Sequence, residues 1–231
     1  TMGGVGDGTT FEYVQVHNSS DDGIEFFGGT VNGRYIVVTG ADDDSLDTDT
    51  GWDGSLQFGI VLQRAGGGDR MNEWSSIRRE PYSNPKVANF TYVGRAGGGA
   101  AITLNQGTQA EFYNTVVTRP EGGTDAGTQC LSISDENTTG TFGSVFFTCP
   151  TPFADQRAQD AFEAGTGNST GTSTLTDVFV NGANETAVAA FQGLVGVDSF
   201  FQQVDYIGGV RNASDTWWQG WTCGLSADTP C

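Results

Sequence analysis

A repeat of about 22 residues is the feature that most constrains this chain. Residues 13–16 (YVQV) align with residues 35–38 (YIVV), and the alignment runs without a gap through 21–22 and 43–44. A third and weaker copy begins at Phe58. This period matches one coil of a β-helix, which contains roughly three short strands. The sequence therefore predicts an all-β fold, a right-handed parallel β-helix with about 22 residues per coil.

Stacking is what makes such a repeat stable, because one coil has too few inward apolar residues to bury them alone. We expect ladders in which apolar side chains of successive coils lie above one another, about 4.8 Å apart. Their members are Val14, Val16, Ile24, Phe26, Ile36, Val38 and Leu46. The composition agrees, because 35 glycines against 6 prolines favour turns and short strands over helices.

The register changes at two places along the chain. Residues 64–86 break the repeat and are predicted to be a loop thrown out from the coil wall, after which Phe90 and Phe112 are again 22 apart. From about Pro150 the pattern becomes helical over 153–162, and 184–191 is a second short helical stretch. We therefore expect coils over 1–149 and, over 150–231, last coils with a small cap that contains short helices.

The charge balance excludes several partners. With 28 acidic and 10 basic residues the net charge is −18, so nucleic acid and anionic membranes are poor partners and cations are good ones. No run of about 20 apolar residues is long enough to span a membrane. His17 is the only histidine, which excludes histidine-rich zinc or copper sites.

The four cysteines predict two disulfide bonds, because their spacings match neither a zinc ribbon nor a redox motif. Cys130 and Cys149 are separated by nearly one coil, while Cys223 and Cys231 would close a short terminal loop. These spacings favour the pairs 130–149 and 223–231, although two other pairings remain open. Disulfides indicate an oxidising compartment, outside the cell or at its surface.

An acidic ladder is the candidate metal site. The 22-residue register stacks carboxylates about 5 Å apart, which is unfavourable unless protons, solvent or a cation relieve the repulsion. Calcium takes six to eight oxygen ligands in loose geometry and suits such a ladder, whereas EF-hand spacing is absent. The alternative is a solvated acidic face. The candidate calcium ligands are Asp21, Asp22, Asp43, Asp44, Asp47 and Asp49, with Glu25, Asp42 and Asp53 nearby.

Carbohydrate chemistry is the other hypothesis for clustered aspartates. Glycoside hydrolases need two carboxylates about 5 to 10 Å apart, and a calcium-dependent lyase would add an arginine base, for which Arg34 and the arginines of 64–79 are candidates. Trp217, Trp218 and Trp221 are candidate ligand-binding residues that could stack against sugar rings. The favoured interpretation of these tryptophans is a hydrophobic cap over the last coil.

Residues 10–32, 43–47, 205–210 and 217–222 resemble a family of secreted bacterial proteins. These are large, poorly characterised, cell-surface or lipoprotein-like right-handed β-helix proteins. The resemblance covers most of the chain and implies that it is the C-terminal part of a longer precursor. The opening residues 1–8, which look like the middle of a coil, also lead us to expect coils upstream as its partners.

The family has no established activity that could be carried over. The resulting expectation is an extracellular, non-catalytic surface, adhesion or assembly protein stabilised by calcium, which contacts polysaccharide or other cell-surface components. The alternative is a lyase or glycoside hydrolase that acts on polysaccharide.

Overall fold

The computed structural model describes residues 1–122, 125–225 and 230–231. Two parallel sheets form the body. Sheet 1 has seven strands: β1 (Met2–Val5), β3 (Ile24–Gly29), β5 (Leu46–Asp49), β7 (Asn72–Trp74), β9 (Ile102–Leu104), β12 (Gln129–Ile133) and β15 (Thr151–Phe153). Sheet 2 has nine: β2 (Glu12–His17), β4 (Gly33–Thr39), β6 (Ser55–Leu62), β8 (Lys86–Val93), β10 (Gln109–Tyr113), β11 (Val116–Thr118), β13 (Thr139–Gly143), β14 (Phe146–Thr148) and β16 (Ser169–Thr170). The chain alternates between the sheets and each strand pairs with strands of neighbouring coils, so the predicted parallel β-helix is confirmed.

The predicted register is confirmed in the first coils. Ile24 pairs with Leu46 between β3 and β5, and Val37 pairs with Ile60 between β4 and β6. The predicted inward ladders lie in the core, with Val14 and Val16 partly buried beside it. The register is different further on, because Phe112 pairs with Val87 and not with Phe90. The later turns are longer, so the 22-residue spacing of those two phenylalanines is not the coil spacing.

The prediction that 64–86 is a loop thrown out from the wall is wrong. Strand β7 lies within this segment and continues sheet 1 between β5 and β9, with Trp74 fully buried in the core. The extra residues are divided between two turns, 63–71 and 75–85, which lengthen this coil without removing it from the stack. The polar and arginine-rich composition of these turns concealed the short strand between them.

A row of residues with left-handed backbone conformation crosses the strands of sheet 2. Residues in this conformation carry a steric cost unless they are glycine or, less severely, asparagine. Asparagine occupies the position in two coils, and in the first three coils stacked aromatic rings offset the cost, with centroids 4.5 Å and 5.3 Å apart. The row comprises Tyr13, Tyr35, Phe58, Asn89, Asn114 and Ser144.

Both disulfides have the pairing that the spacings favoured. Cys130 in β12 is bonded to Cys149, which directly follows β14, so this bond joins the two sheets through the core. Cys223 is bonded to Cys231 near the C-terminus.

Helix α1 (Gln156–Ala164) covers the last coil. Asp155 caps it by accepting a hydrogen bond from the amide of Ala158, at 2.8 Å, and Phe162 stacks on Phe147 with ring centroids 4.5 Å apart. This helix is the cap that the fold prediction placed after the coils.

The rest of the C-terminal region runs back along the outside of sheet 2. It contains α2 (Ala183–Ala187) and α3 (Leu194–Val197), and it reaches the first coils, where the backbone amide of Cys223 donates to the side chain of Gln15. The interpretation of the tryptophans as a cap over the last coil is therefore wrong. Trp217 packs on Tyr35 and Trp221 packs on Tyr13, because α1 already covers the last coil. Among the described helices none is long and apolar enough to cross a membrane.

Candidate functional site

The turns that lead into sheet 1 place acidic residues in register. Asp22, Asp44 and Arg70 hold equivalent positions in three successive coils, two residues before the first paired residue of β3, β5 and β7. Asp21, Asp43 and Asp69 precede them. Each coil therefore adds its side chains directly above those of the coil before.

The strands of sheet 1 add a second acidic row. Side chains alternate between the two faces of a strand, so residues that follow an inward Ile or Leu point to solvent. Glu25 pairs with Asp47, and Asp47 pairs with Glu73, on this outer face. In the next coil Thr103 pairs with Glu73, so the acidic row ends there.

Together the turns and strands form the acidic array, which we define as eight carboxylates on one edge and the outer face of sheet 1. Within it, three groups of three carboxylates each have oxygens that all lie within 4.8 Å of one another. The groups share Asp22 and Asp43, so they form one continuous cluster. The array comprises Asp21, Asp22, Glu25, Asp43, Asp44, Asp47, Asp69 and Glu73.

Five of the six predicted metal ligands belong to the array, and Asp49 does not. Asp49 lies on the same outer face, two residues beyond Asp47, and its carboxylate accepts a hydrogen bond from the amide of Thr50 at 2.8 Å. Two other acidic neighbours are paired elsewhere: Asp42 with Arg64, and Asp53 with Lys86 at 2.7 Å.

Sequence reasoning missed Asp69 and Glu73. They repeat Asp43 and Asp47 at an offset of 26, which differs from the period of 22, so a fixed period does not reveal them.

Two carboxylates of the array also stabilise the coil stack. Asp22 accepts a hydrogen bond from the backbone amide of Asp44 at 3.0 Å, and Asp44 accepts one from the amide of Arg70 at 2.7 Å. Each bond satisfies a turn amide of the next coil that the sheet ladder does not reach. The carboxylates are thereby held in place for any ion that binds beside them.

Burial and mutual repulsion raise the pKa of several of these carboxyls. For Asp44, which is only 3% exposed, burial and a hydrogen bond to Glu73 raise the pKa to about 9. For Asp47, burial and the charges of Asp22 and Glu25 raise the pKa to about 8. Burial is also the main cause that raises the pKa of Asp22 to about 6. The fold thus holds carboxylates together at a cost that a bound cation would relieve.

In the described part of the chain, one basic residue contacts the array. Arg70 pairs with Asp69, lies 3.4 Å from Glu73, and donates from Nε to the hydroxyl of Thr103 at 3.0 Å. Of the other arginines considered for a lyase site, Arg34 is remote, because it belongs to β4 in sheet 2, where it contacts Glu12 and lies over the ring of Phe200. Arg34 is close to the ladder in sequence but belongs to the other sheet, so it is not positioned to act as a base at the array.

The tryptophans form a separate surface on sheet 2. All three are half-buried. Trp217 and Trp221 use their indole N–H groups in hydrogen bonds to backbone carbonyls, and Trp218 packs edge-on against Phe179. They have a packing role, and the exposed Tyr13 beside Trp221 extends their surface.

The donor set of the array consists of hard oxygen atoms with no histidine or cysteine. Calcium prefers such ligands in irregular geometry, whereas magnesium requires a smaller and regular octahedron. The residues present therefore fit a hard cation better than a softer metal.

Fold and site together define an acidic, disulfide-bonded parallel β-helix with a carboxylate array on one sheet. The family model described as a pectate-lyase-like β-helix domain matches residues 1–222, and the chain belongs to this family. No curated protein and no solved structure matches the chain significantly.

Proposed function

We propose that this chain is an extracellular, non-catalytic β-helix domain of a surface, adhesion or assembly protein, whose acidic array binds calcium and thereby stabilises the coils. The observation that carries the proposal is that the three sets of three carboxylates share members and form one continuous cluster, which includes the buried Asp44. The two disulfides and the acidic net charge of −18 support an oxidising and calcium-containing exterior.

The acidic array has far more negative than positive charge. Among the described residues only Arg70 brings a cation into contact with it, and the charges of Asp69 and Glu73 already balance that guanidinium. The carboxylates of Asp22, Glu25 and Asp47 have no basic neighbour within salt-bridge distance in the described part of the chain. We therefore place the calcium ion beside these three, with Asp21 and Asp43 within reach of a second ion.

Calorimetric unfolding tests this proposal. A ligand that binds only the folded state adds about 2.7 kcal/mol when its concentration is about 100 times its Kd. The wild-type protein should therefore melt at a higher temperature with calcium than with a chelator, and magnesium should substitute poorly. Ionic strength must be constant, so that general screening does not imitate binding.

Two double variants of equal net charge separate binding from screening. Asp44→Asn/Asp47→Asn removes two carboxylates of the array, and we expect it to lose the calcium response. Asp49→Asn/Asp160→Asn removes two acidic charges outside the array, and we expect it to respond as the wild type does. If both variants and the wild type respond alike to calcium, magnesium and chelator, the array is a solvated acidic face and the proposal fails.

A second candidate function is action on polysaccharide, and the family match favours it. A lyase would use the calcium ion with Arg70 as the base, since Arg70 is the arginine in the array. Arg70 is already held in ion pairs with Asp69 and Glu73 and is not free to approach a substrate, which ranks this candidate second. Appearance of unsaturated sugar products from acidic polysaccharides in the presence of calcium, lost in Arg70→Lys, would support the lyase over the non-catalytic function.

A further inference from the structure

A buried arginine that has no counter-ion among the described residues lies next to a cleft of about 620 Å³. Arg119 directly follows β11, lines this cleft, and is only 3% exposed. Among the described residues no carboxylate lies within salt-bridge distance of it. Its one hydrogen bond runs from Nη1 to the carbonyl of Gly97, at a long 3.3 Å.

The unused part of Arg119 has a specific shape. Its Nε and Nη2 atoms are both buried and have no hydrogen-bond partner. These two atoms form one edge of the guanidinium, and their N–H bonds are parallel. Two parallel donors fit the two oxygens of a carboxylate in a bidentate pair. A buried, unpaired donor costs about 1 to 3 kcal/mol, so the fold retains this edge at a cost.

The charges around Arg119 do not make up for its missing counter-ion. Burial and the charge of Arg95 lower the pKa of Arg119 to about 10, and the charge of Asp69 opposes them only in part. Arg95 is occupied in turn, since its Nε and Nη2 donate to the carbonyl of Gly68 at 2.9 Å and 2.6 Å. Glu121 also lines the cleft but is exposed and forms no ion pair with Arg119 among the described contacts.

The rest of the cleft suits a ligand with hydroxyl groups. Thr118, Thr148, Thr172 and Ser173 line it, and Leu175 and Val178 provide apolar contacts. Its volume lies in the range of small-molecule sites, in which a few polar groups orient a ligand among apolar walls.

We propose that this cleft binds a carboxylate-bearing ligand of sugar size, whose two carboxylate oxygens accept hydrogen bonds from Nε and Nη2 of Arg119. The guanidinium turns toward the cleft when the ligand enters, exchanging the long bond to Gly97 for two charge-assisted bonds. The site shares no residue with the acidic array, so it does not depend on calcium.

Isothermal titration with sodium glucuronate tests the proposal, with glucose as the neutral sugar of similar size. We expect saturable binding of glucuronate to the wild type, with a Kd of about 1 mM or below, and none of glucose. Arg119→Lys keeps the positive charge but loses the two parallel N–H donors, and it should weaken glucuronate binding at least about tenfold. Arg119→Met should abolish binding.

Folding controls keep the result interpretable. Replacement of an unpaired buried charge by an apolar side chain of similar length is often neutral or stabilising, so Arg119→Met should melt no lower than the wild type. Glu121→Gln removes the neighbouring carboxylate and should bind glucuronate at least as tightly. Absence of saturable glucuronate binding in the wild type, or equal binding by the wild type and Arg119→Lys, would overturn the proposal.

Discussion

The metal-free protein should become less stable as the pH rises from about 5 to about 9. Asp22, Asp44 and Asp47 each have a pKa in the folded state above the usual value of 3.8, at about 6, 9 and 8 respectively. Between the unfolded and the folded pKa the folded state binds more protons than the unfolded state. The free energy of unfolding therefore falls with rising pH in this window, the reverse of the usual behaviour of paired carboxylates.

The size of the effect follows from the pKa of Asp47. Each pKa unit corresponds to about 1.36 kcal/mol, so a rise from 3.8 to about 8 would lower the free energy of unfolding by roughly 6 kcal/mol for a group fully shielded from water. The outer face of sheet 1 is open to water, which screens the repulsion from Asp22 and Glu25. We therefore expect a net loss of about 2 to 3 kcal/mol between pH 5 and pH 9.

Urea unfolding of metal-free protein at pH 5, 7 and 9, at constant ionic strength, measures this loss. Asp47→Asn should raise the urea midpoint at pH 9 and weaken the pH dependence of the free energy of unfolding. The reason is that it removes a carboxylate whose ionisation destabilises the folded state. Asp49 lies on the same face but outside the array, so Asp49→Asn should show the same pH dependence of stability as the wild type. If wild-type stability rises with pH, or if Asp47→Asn keeps the wild-type slope, the carboxylates do not repel one another as described.

Two further predictions concern packing and cross-links. Replacing Cys130 and Cys149 together by serine should lower the free energy of unfolding by about 2 to 5 kcal/mol. Replacing Cys223 and Cys231 should lower it less, because their loop is shorter. Peptide mapping without reduction should find these two pairs, and free thiols or cross-pairing would contradict them. Trp218→Ala should cost about 2 to 4 kcal/mol because the indole packs on Phe179, whereas unchanged thermal stability with lost polysaccharide binding would make Trp218 a ligand-binding residue.

The sequence predicted those parts of the fold in which each coil repeats the one before. Ile24 over Leu46 and Val14 over Ile36 follow from the offset of 22 alone, because a solenoid repeats its inward positions at the coil length. Beyond Leu62 the turns differ in length, so a fixed offset no longer finds the partner. Strand β7 has only three residues, and a short strand between polar turns carries too little periodicity to be recognised.

The acidic array was predictable for the same reason and only to the same extent. Asp21, Asp22, Asp43, Asp44 and Asp47 lie within the regular repeat, and the structure brings them together. The Arg119 cleft could not be predicted, because it forms where the end of β11 meets residues more than 50 positions later in the chain. No local pattern encodes a contact between a coil and a segment that returns along its outside.

The position of Arg70 determines where along the solenoid a cation has most to gain. It replaces, in the third coil, the aspartate that Asp22 and Asp44 provide in the first two, and its guanidinium offsets the charges of Asp69 and Glu73. Thr103 then ends the outer acidic row in the next coil. Repulsion is consequently relieved by the protein itself at the third coil and left unrelieved between the first and second, around Asp22, Glu25 and Asp47. A cation there would join two coils through their side chains, in addition to the backbone ladder that already joins them.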